Sequence, residues 1–335
     1  MNAALHTAPR LTLAVLSYRQ SAYIEDAVCS ALAQTGEPIE ILLSDDGSPD
    51  DTYARMQALV DAYRGPHQVV LRRNERNLGI GAHVNEVMKL ARGELLVLMG
   101  GDDISLPERA SVTLEAYDAT GQRVDLLACD VIDMSADGID LGLIEVDDLS
   151  KWHSIDGWVR QRPYVIGAGH AVSRRLMERF GPLQPGIDTE DQVTTLRALC
   201  SAGAVTIRRP LVRYRRGGIS AGAKELTVLD FLHQTQRRNR SHLALIRQWR
   251  ADAGIAGCAE AVEHATRPAF DRETFMSELL SSRDFFSRLQ ALRRASRLSL
   301  GWRIKKLLYF QWPGIGVGVR RLQQRWKRIA SKDSR

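Results

Sequence analysis

The feature that most constrains this chain is an alternation. Through the first 130 residues, short apolar runs that read as buried strands are each followed by an amphipathic stretch that reads as a helix. That pattern calls for a mostly parallel sheet covered by helices. Leu11 to Tyr18 reads as the first strand and Tyr23 to Gln34 as the first helix, with Ile24, Ala27, Val28, Ala31 and Leu32 on one face. Ile39 to Ser48 gives a second strand ending in a turn, and the next segment opens with Ser48 as a cap and Pro49 at the first helical position. Val69–Asn74, Gly79–Ala91 and Glu94–Met99 continue as strand, helix and strand.

Every polar cluster in this stretch follows a strand. In open α/β sheets ligands collect beyond the carboxyl ends of the strands, so Tyr18, Asp45, Asp46, Asp102 and Asp103 are expected around one crevice. Beyond a helix at Pro107–Ala119 and a strand starting at Asp125, Gly169–Leu183 reads as a strand running into a short helix. The TEDQVTTLRALCSAG segment reads as a helix capped by Thr189 and ended by Gly203. A pair of strands, AVTIRR and LVRYRR, then precedes Gly217-Gly218, and the chain is helical by pattern from Lys224 onward.

At 335 residues, the chain is long enough for one large domain and an appendage. The four cysteines, Cys29, Cys129, Cys200 and Cys258, are far apart in sequence with no metal-ligand spacing, so buried thiols in a reducing compartment are expected. No export signal or membrane-spanning run is expected, because the apolar run Leu95–Met99 is far too short. Charge is unevenly spread: residues 283–335 hold 15 Lys or Arg against Asp284 and Asp333, net +13, so the overall +6 hides −7 in residues 1–282. An acidic body with a basic tail argues against a nucleic-acid-coating surface, and leaves the tail free for phosphates, anionic lipid or an acidic partner.

Two acidic pairs at strand ends would repel each other in one crevice unless a divalent cation or a ligand's donors offset them. Magnesium and manganese bind one or two carboxylates and complete their shells with phosphate oxygens and water, which suits a nucleoside diphosphate. Neither GxxxxGKS nor GxGxxG follows the first strand, so the phosphate cradles of a P-loop ATPase and a nicotinamide Rossmann domain are missing.

Four ordered blocks, VLSYRQSAYIEDAVCSALAQ, ILLSDDGSPDDT, RNERNLGIGAHVNEVMKLARGELLVLMGGDD and GIDTEDQVTTLRAL, resemble glycosyltransferase family 2 over about residues 10–220. The resemblance implies an α/β fold of GT-A type, a Rossmann-like mostly parallel sheet, and an inverting enzyme that uses a nucleotide sugar. It divides the chain into a flexible N-terminus at 1–9, a GT-A domain at 10–222 and a helical basic region at 223–335. It maps the base-reading acid to Asp46, with Asp45 beside it, Tyr18 near the ring, and Asn77 and Gly79 in the loop bordering the nucleotide. Asp102 and Asp103 are implied as ribose and metal contacts for Mn2+ or Mg2+, although Gly100 replaces the first Asp of the family's usual metal motif. Glu190 and Asp191 match the family's Glu-Asp pair, with Asp191 as the base that activates the acceptor hydroxyl, kept ionised by the helix start. Arg215 and Arg216 are candidate diphosphate contacts.

Each of these residues also has a plainer reading. Asp45-Asp46-Gly is turn chemistry, Glu190 and Asp191 suit any helix start, and Asp50 and Asp51 are expected to be first-turn helix acids outside the site. His83 and His170 are expected to be packed or surface histidines. Trp152, His153 and Trp158 could form an acceptor wall or simply pack. Trp302, Leu307, Leu308, Tyr309, Phe310, Trp312 and Trp326 among dense cations have the composition of an interfacial membrane segment.

The expected partners are a nucleoside diphosphate sugar and a glycan or polyprenyl-linked acceptor, in bacterial surface polysaccharide assembly, with no nucleic acid. The expected location is the cytoplasm, peripheral to the inner face of the plasma membrane through 283–335. Two other functions fit less of the sequence. A nucleotide-sugar-binding scaffold is kept open by Gly100, and a nucleotidyltransferase would need a Gly-rich basic loop where SYRQSAY stands.

Overall fold

A computed structural model describes residues 8–216, 227–282, 284–315 and 317–318. Most of the N-terminal stretch expected to be flexible, Gly217-Gly218 and the tail with Trp326 lie outside the described residues. The chain divides into two compact units, one holding the chain through Ala221 with Gln248–Val262, the other Gly222–Arg247 with Glu263 onward. Residues 248–262, which the sequence reading left with the C-terminal region, therefore pack with the first unit.

In chain order the first unit runs β1 (Leu11–Ser17), α1 (Ile24–Leu32), β2 (Glu40–Asp45), α2 (Thr52–Ala62), β3 (Gln68–Arg73), α3 (Ile80–Leu90) and β4 (Leu95–Gly100). It continues with β5 (Ile104–Ser105), α4 (Arg109–Ala119), β6 (Leu126–Met134), β7 (Asp140–Ile144), α5 (Ile155–Arg160) and β8 (Ala171–Ser173). The last elements are α6 (Arg174–Phe180), α7 (Glu190–Leu199) and β9 (Ala204–Arg215).

The strands form one sheet in the order β3-β2-β1-β4-β8-β6-β9-β5, with β7 added to β6. Strands β3, β2, β1 and β4 are mutually parallel, as are β6 and β9, while β8, β7 and β5 run against their neighbours. β1 and β2 are buried at every position, which is why they read as unbroken apolar runs rather than alternating ones. Ile24, Ala27, Val28 and Ala31 of α1 pack with Leu11, Leu13 and Val15 in the main core, and each fully buried Ile or Val contributes roughly 1.5–3 kcal/mol. The register sets Ser17 beside Asp45 and Leu16 beside Gly100, so the acidic ends of β2 and β4 flank the end of β1.

Local details differ from expectation. Ser48 does not cap α2, which starts at Thr52; its N–H and hydroxyl go to Asp45 instead, at 2.9 and 2.5 Å. Thr189 precedes α7 without capping it, and its hydroxyl is buried with no hydrogen-bond partner. The two expected late strands are one, β9, whose pairing with β6 slips near Pro210. Proline lacks a ladder donor, and the bulge absorbs that loss without ending the strand. Cys29 is exposed, and Cys200 and Cys258 meet with their sulfurs 3.6 Å apart.

Helix α8 (Val228–Ala256) and α9 (Ala259–Ser281) carry residues of both units, and α10 (Phe285–Arg294) and α11 (Leu300–Gln311) complete the second. Its core is Phe275, Leu279, Ala291, Leu307 and Phe310, with Trp302 packed against it. Among the described residues no helix is long and apolar enough to cross a membrane.

Candidate active site at the carboxyl ends of the strands

Asp45 and Asp46 end β2 with different partners. Asp45 is fully buried and accepts from Ser48 and Arg73, the latter at 3.2 Å, so its charge organises the turn. Asp46 accepts the side-chain amide of Asn74 at 2.7 Å and the backbone N–H groups of Leu78 and Gly79, each at 3.0 Å. It thereby pins the loop between β3 and α3. Gly79 has φ +82, a backbone that favours glycine, and a Cβ there would meet nothing within 4 Å, so the loop is open on that side. Asn77 is exposed on the same loop. Behind it, His83 lies 2.7 Å from the Ser44 hydroxyl and burial lowers its pKa, so it is a packed neutral ring.

After β1 the chain turns sharply at Arg19, with φ 55, whose N–H donates to the Ser48 hydroxyl at 2.9 Å. Left-handed backbone is uncommon for arginine. Here it carries the chain from half-buried Tyr18 to Gln20, which hydrogen-bonds Asp102. Burial raises the Asp102 pKa, and Arg215 and Gln20 oppose that rise. Asp103 is pushed up to about 7, first by burial and then by the charge of Asp102. A Cβ on Gly100 would fall 2.7 Å from one Asp102 oxygen and 3.0 Å from one of Asp103, so the space of the missing family aspartate is shared by these two carboxylates.

Arg215 is committed to the protein. Its Nε donates to the Asp102 carbonyl at 2.8 Å, Nη1 to the Ala136 carbonyl at 2.7 Å, and the guanidinium lies 4.4 Å from the Tyr23 ring centroid. Its backbone N–H meets Asp103 Oδ1 at 3.0 Å. The expected diphosphate contact is thus a buried clamp on the Asp102-Asp103 turn. Arg216 is exposed and pairs with Asp133 at 2.5 Å.

Glu190 and Asp191 begin α7 against the short turn Gly167–Gly169, where a Cβ on Gly167 would lie 3.1 Å from Asp191 Cβ and 3.3 Å from Glu190 Oε1. Glu190 is pushed up to about 7 by burial and by the charge of Asp191. Asp191 is raised as well, because burial outweighs its backbone donors. His170 lines a small cavity with both acids. It is buried with neither ring nitrogen hydrogen-bonded, and burial with nearby Arg109 lowers its pKa to about 3, so it is neutral.

Several contributors were not anticipated. Tyr214, half-buried near the end of β9, has its phenol raised first by burial and then by the charges of Asp103, Asp102 and Asp191. The loop pinned by Asp46 joins the same region, since Gly81 donates to the Ile187 carbonyl at 3.1 Å, just ahead of α7. Trp249 donates to the Gln192 carbonyl at 3.1 Å and meets Trp158 edge-on at 5.0 Å. Trp158 therefore packs beneath the start of α7, while His153 is exposed and Trp152 donates to the Gln161 carbonyl at 2.8 Å. Tyr214 was legible as the neighbour of Arg215 on a strand leading to the acids; nothing in the sequence announced Trp249. Asp50 accepts from the Thr52 hydroxyl, and Asp51 pairs with Arg55 on α2, as helix-start acids do. A roomier cavity of about 260 Å³ lies away from these acids, between α3 and α6, lined by Met88, Leu96 and Met177 among others.

The profile of Glycosyl transferase family 2 matches residues 12–177, spanning β1 to α6. This chain belongs to glycosyl transferase family 2. Among curated family relatives, the succinoglycan biosynthesis protein ExoO of Rhizobium meliloti is 32% identical over 148 residues, 44% of this chain and 40% of ExoO. The chain thus spans about two fifths of that relative's length. The family fold recurs in solved structures: S. aureus TarS 1-349 in complex with UDP-GlcNAc superimposes with a TM-score of 0.54 at 15% identity, covering 90% of this chain and 89% of that one. Mannosyltransferase PcManGT from Pyrobaculum calidifontis, in complex with GDP-Man and Mn2+, gives 0.51 at 16% identity, covering 95% and 88%. At those identities the likeness concerns the GT-A fold alone.

For this family 2 chain, the acids at the β4 end fit a hard cation that shares its shell with phosphate. Asp102 and Asp103 supply carboxylate oxygens, one of them already taken by the Arg215 amide. Among the described residues no group of three or more His, Cys, Asp or Glu is placed to hold a metal alone. Magnesium and manganese need only one or two carboxylates when phosphates and water complete the shell.

Proposed function

We propose that this chain is an inverting glycosyltransferase that moves a sugar from a nucleoside diphosphate sugar to a hydroxyl of a glycan or polyprenyl-linked acceptor. The setting proposed is bacterial surface polysaccharide assembly, at the cytoplasmic side of the membrane. The observation that carries the reading is the sheet register, which sets the acidic ends of β2 and β4 on either side of the end of β1, together with the small cavity that Glu190 and Asp191 line with Leu96 and Leu98 of β4. That grouping is what inverting transfer requires: a base facing the acceptor and, opposite it, acids that meet the diphosphate. The relatives support the setting and the donor class: one is a succinoglycan biosynthesis protein, and the solved neighbours hold UDP-GlcNAc, or GDP-Man with Mn2+.

Asp191 is the proposed base, taking the proton of the attacking hydroxyl, with burial raising its proton affinity and Glu190 beside it. Asp46, Tyr18, Asn77 and Gly79 border the nucleotide, and Asp45 fixes the turn that presents Asp46. Asp102 and Asp103 would hold Mn2+ or Mg2+, which when bound offsets negative charge on the leaving diphosphate. Arg215 shapes their turn, and exposed Arg216 is the remaining basic group for phosphate.

A thermal-shift panel of nucleoside diphosphate sugars with and without Mn2+, followed by transfer assays, tests this reading. Selective stabilisation by one donor is expected, with turnover that Asp191→Asn lowers by about a hundredfold or more while donor binding persists. Nuclear magnetic resonance of the product reads the anomeric configuration, and retention would remove the inverting assignment. Donor binding without turnover in any acceptor mixture would instead favour a nucleotide-sugar-binding scaffold.

A further inference from the structure

The second unit carries an apolar surface that its own core does not use. On α11, Leu307 and Phe310 face inward, while Leu300, Ile304 and Leu308, spaced by four and therefore on one face, are 55%, 41% and 39% exposed. Trp312, one further turn along, is 54% exposed and Ile315 48%. Arg288 Nη1 donates to the Phe310 carbonyl at 2.9 Å, bringing the start of α10 to the end of α11. Phe285 and Phe286, 49% and 67% exposed, thus share that end with Trp312. A ridge of this size is larger than the scattered apolar residues of an ordinary soluble surface.

Charge identifies what the ridge suits. Arg293, Arg297 and Lys305 are exposed on the same two helices and the segment between them, and Lys306 and Lys305 lie over the aromatic rings of Trp302 and Tyr309. No Asp or Glu occurs from Phe285 to Lys332. A second copy of this surface, or the equally basic tail at 319–335, would set cation against cation. An acidic headgroup layer over hydrocarbon matches both properties, with aromatic rings at the boundary and lysines reaching phosphate.

We propose that α10 and α11 form an interfacial anchor that lies on an anionic bilayer, with Leu300, Ile304, Leu308 and Trp312 seated among the acyl chains and the flanking cations on headgroup phosphates. This anchor is independent of the sugar-transfer reading, since none of its residues belongs to the acidic site.

Sedimentation of the full chain with phosphatidylcholine vesicles, with and without phosphatidylglycerol, tests the proposal. Binding is expected to be about tenfold or more tighter with phosphatidylglycerol and to weaken with salt. The double variant Ile304→Glu/Leu308→Glu, which keeps every cation, is expected to lose about tenfold or more while its circular dichroism and melting temperature stay those of the parent. Brominated-lipid quenching of the parent, compared with Trp312→Phe, reads insertion without depending on how the double variant folds. Unchanged vesicle binding by the double variant, equal binding to both vesicle types, or no quenching at Trp312 would overturn the anchor. So would a dimer in solution that the double variant dissociates, since the ridge would then cover a second copy.

Discussion

The Asp46 carboxylate accepts the backbone N–H of Gly79 at 3.0 Å, and so joins the end of β2 to a loop 33 residues further on. With Asn74 and Leu78 it takes three hydrogen bonds, leaving about one of a carboxylate's four acceptor positions for a ligand. Asp46→Asn puts a donor group where donors already converge. The expected cost is about 1–3 kcal/mol of stability, with faster amide exchange over residues 74–79 and weaker donor binding. Unaltered melting and donor affinity would separate Asp46 from both roles.

Gly100 marks the family departure. Because the atoms in its Cβ space are the ends of two carboxylates, which can rotate, Gly100→Ala is expected to leave stability within about 1 kcal/mol of the parent. It should turn Asp102 away from its present position and weaken Mn2+-dependent donor stabilisation by about tenfold or more. Titration calorimetry of donor with Mn2+ checks this, and equal affinities would show that the position of Asp102 is not critical.

The Glu190–Asp191 pair makes stability depend on pH with a definite sign. Glu190 is raised from 4.5 to about 7, so between those values the folded chain holds a proton that the unfolded chain has released. Its contribution is therefore fully present below about pH 4.5 and lost as pH rises toward 7. Glu190→Gln should flatten the fall in melting temperature over that interval. An unchanged slope would mean that Glu190 titrates in the folded chain as it does in the unfolded one.

Arg197 and Asp252 form a buried pair, with Nε to Oδ2 at 2.8 Å and Nη2 to Oδ1 at 3.1 Å, both residues almost wholly shielded. Removing one partner strands the other charge, so Asp252→Ala should cost about 3–5 kcal/mol in chemical denaturation. Replacing both with apolar residues of similar volume should cost far less. If the single and double variants melt alike, the pair is solvated and the burial argument fails.

The parallel strands were legible because two-sided burial leaves an unmistakable apolar run, as in Leu11–Ser17, and the acids stood out because each followed such a run. Less local features were hidden. Pro210 looked like a strand break because a bulge that tolerates it depends on β6, eighty residues earlier in the chain. Ser48 looked like a helix cap because sequence spacing could not show that the Asp45 carboxylate would be the nearer partner. Arg215 looked like a phosphate ligand because its carbonyl partners, at Asp102 and Ala136, come from separate turns. Cys200 and Cys258 looked unrelated because only the return of residues 248–262 to the first unit brings them together.

That return has a practical corollary for protein engineering. The indole that steadies Gln192 and the acid that neutralises Arg197 come from Trp249 and Asp252, well past the segment shared with the family at 12–177. A minimal catalytic fragment, or a chimera spliced to a relative, should retain residues 248–262 along with the sheet. Cut before them, it would open Trp158 to solvent and leave the Arg197 guanidinium without its counter-ion, on the very helix that carries the candidate base.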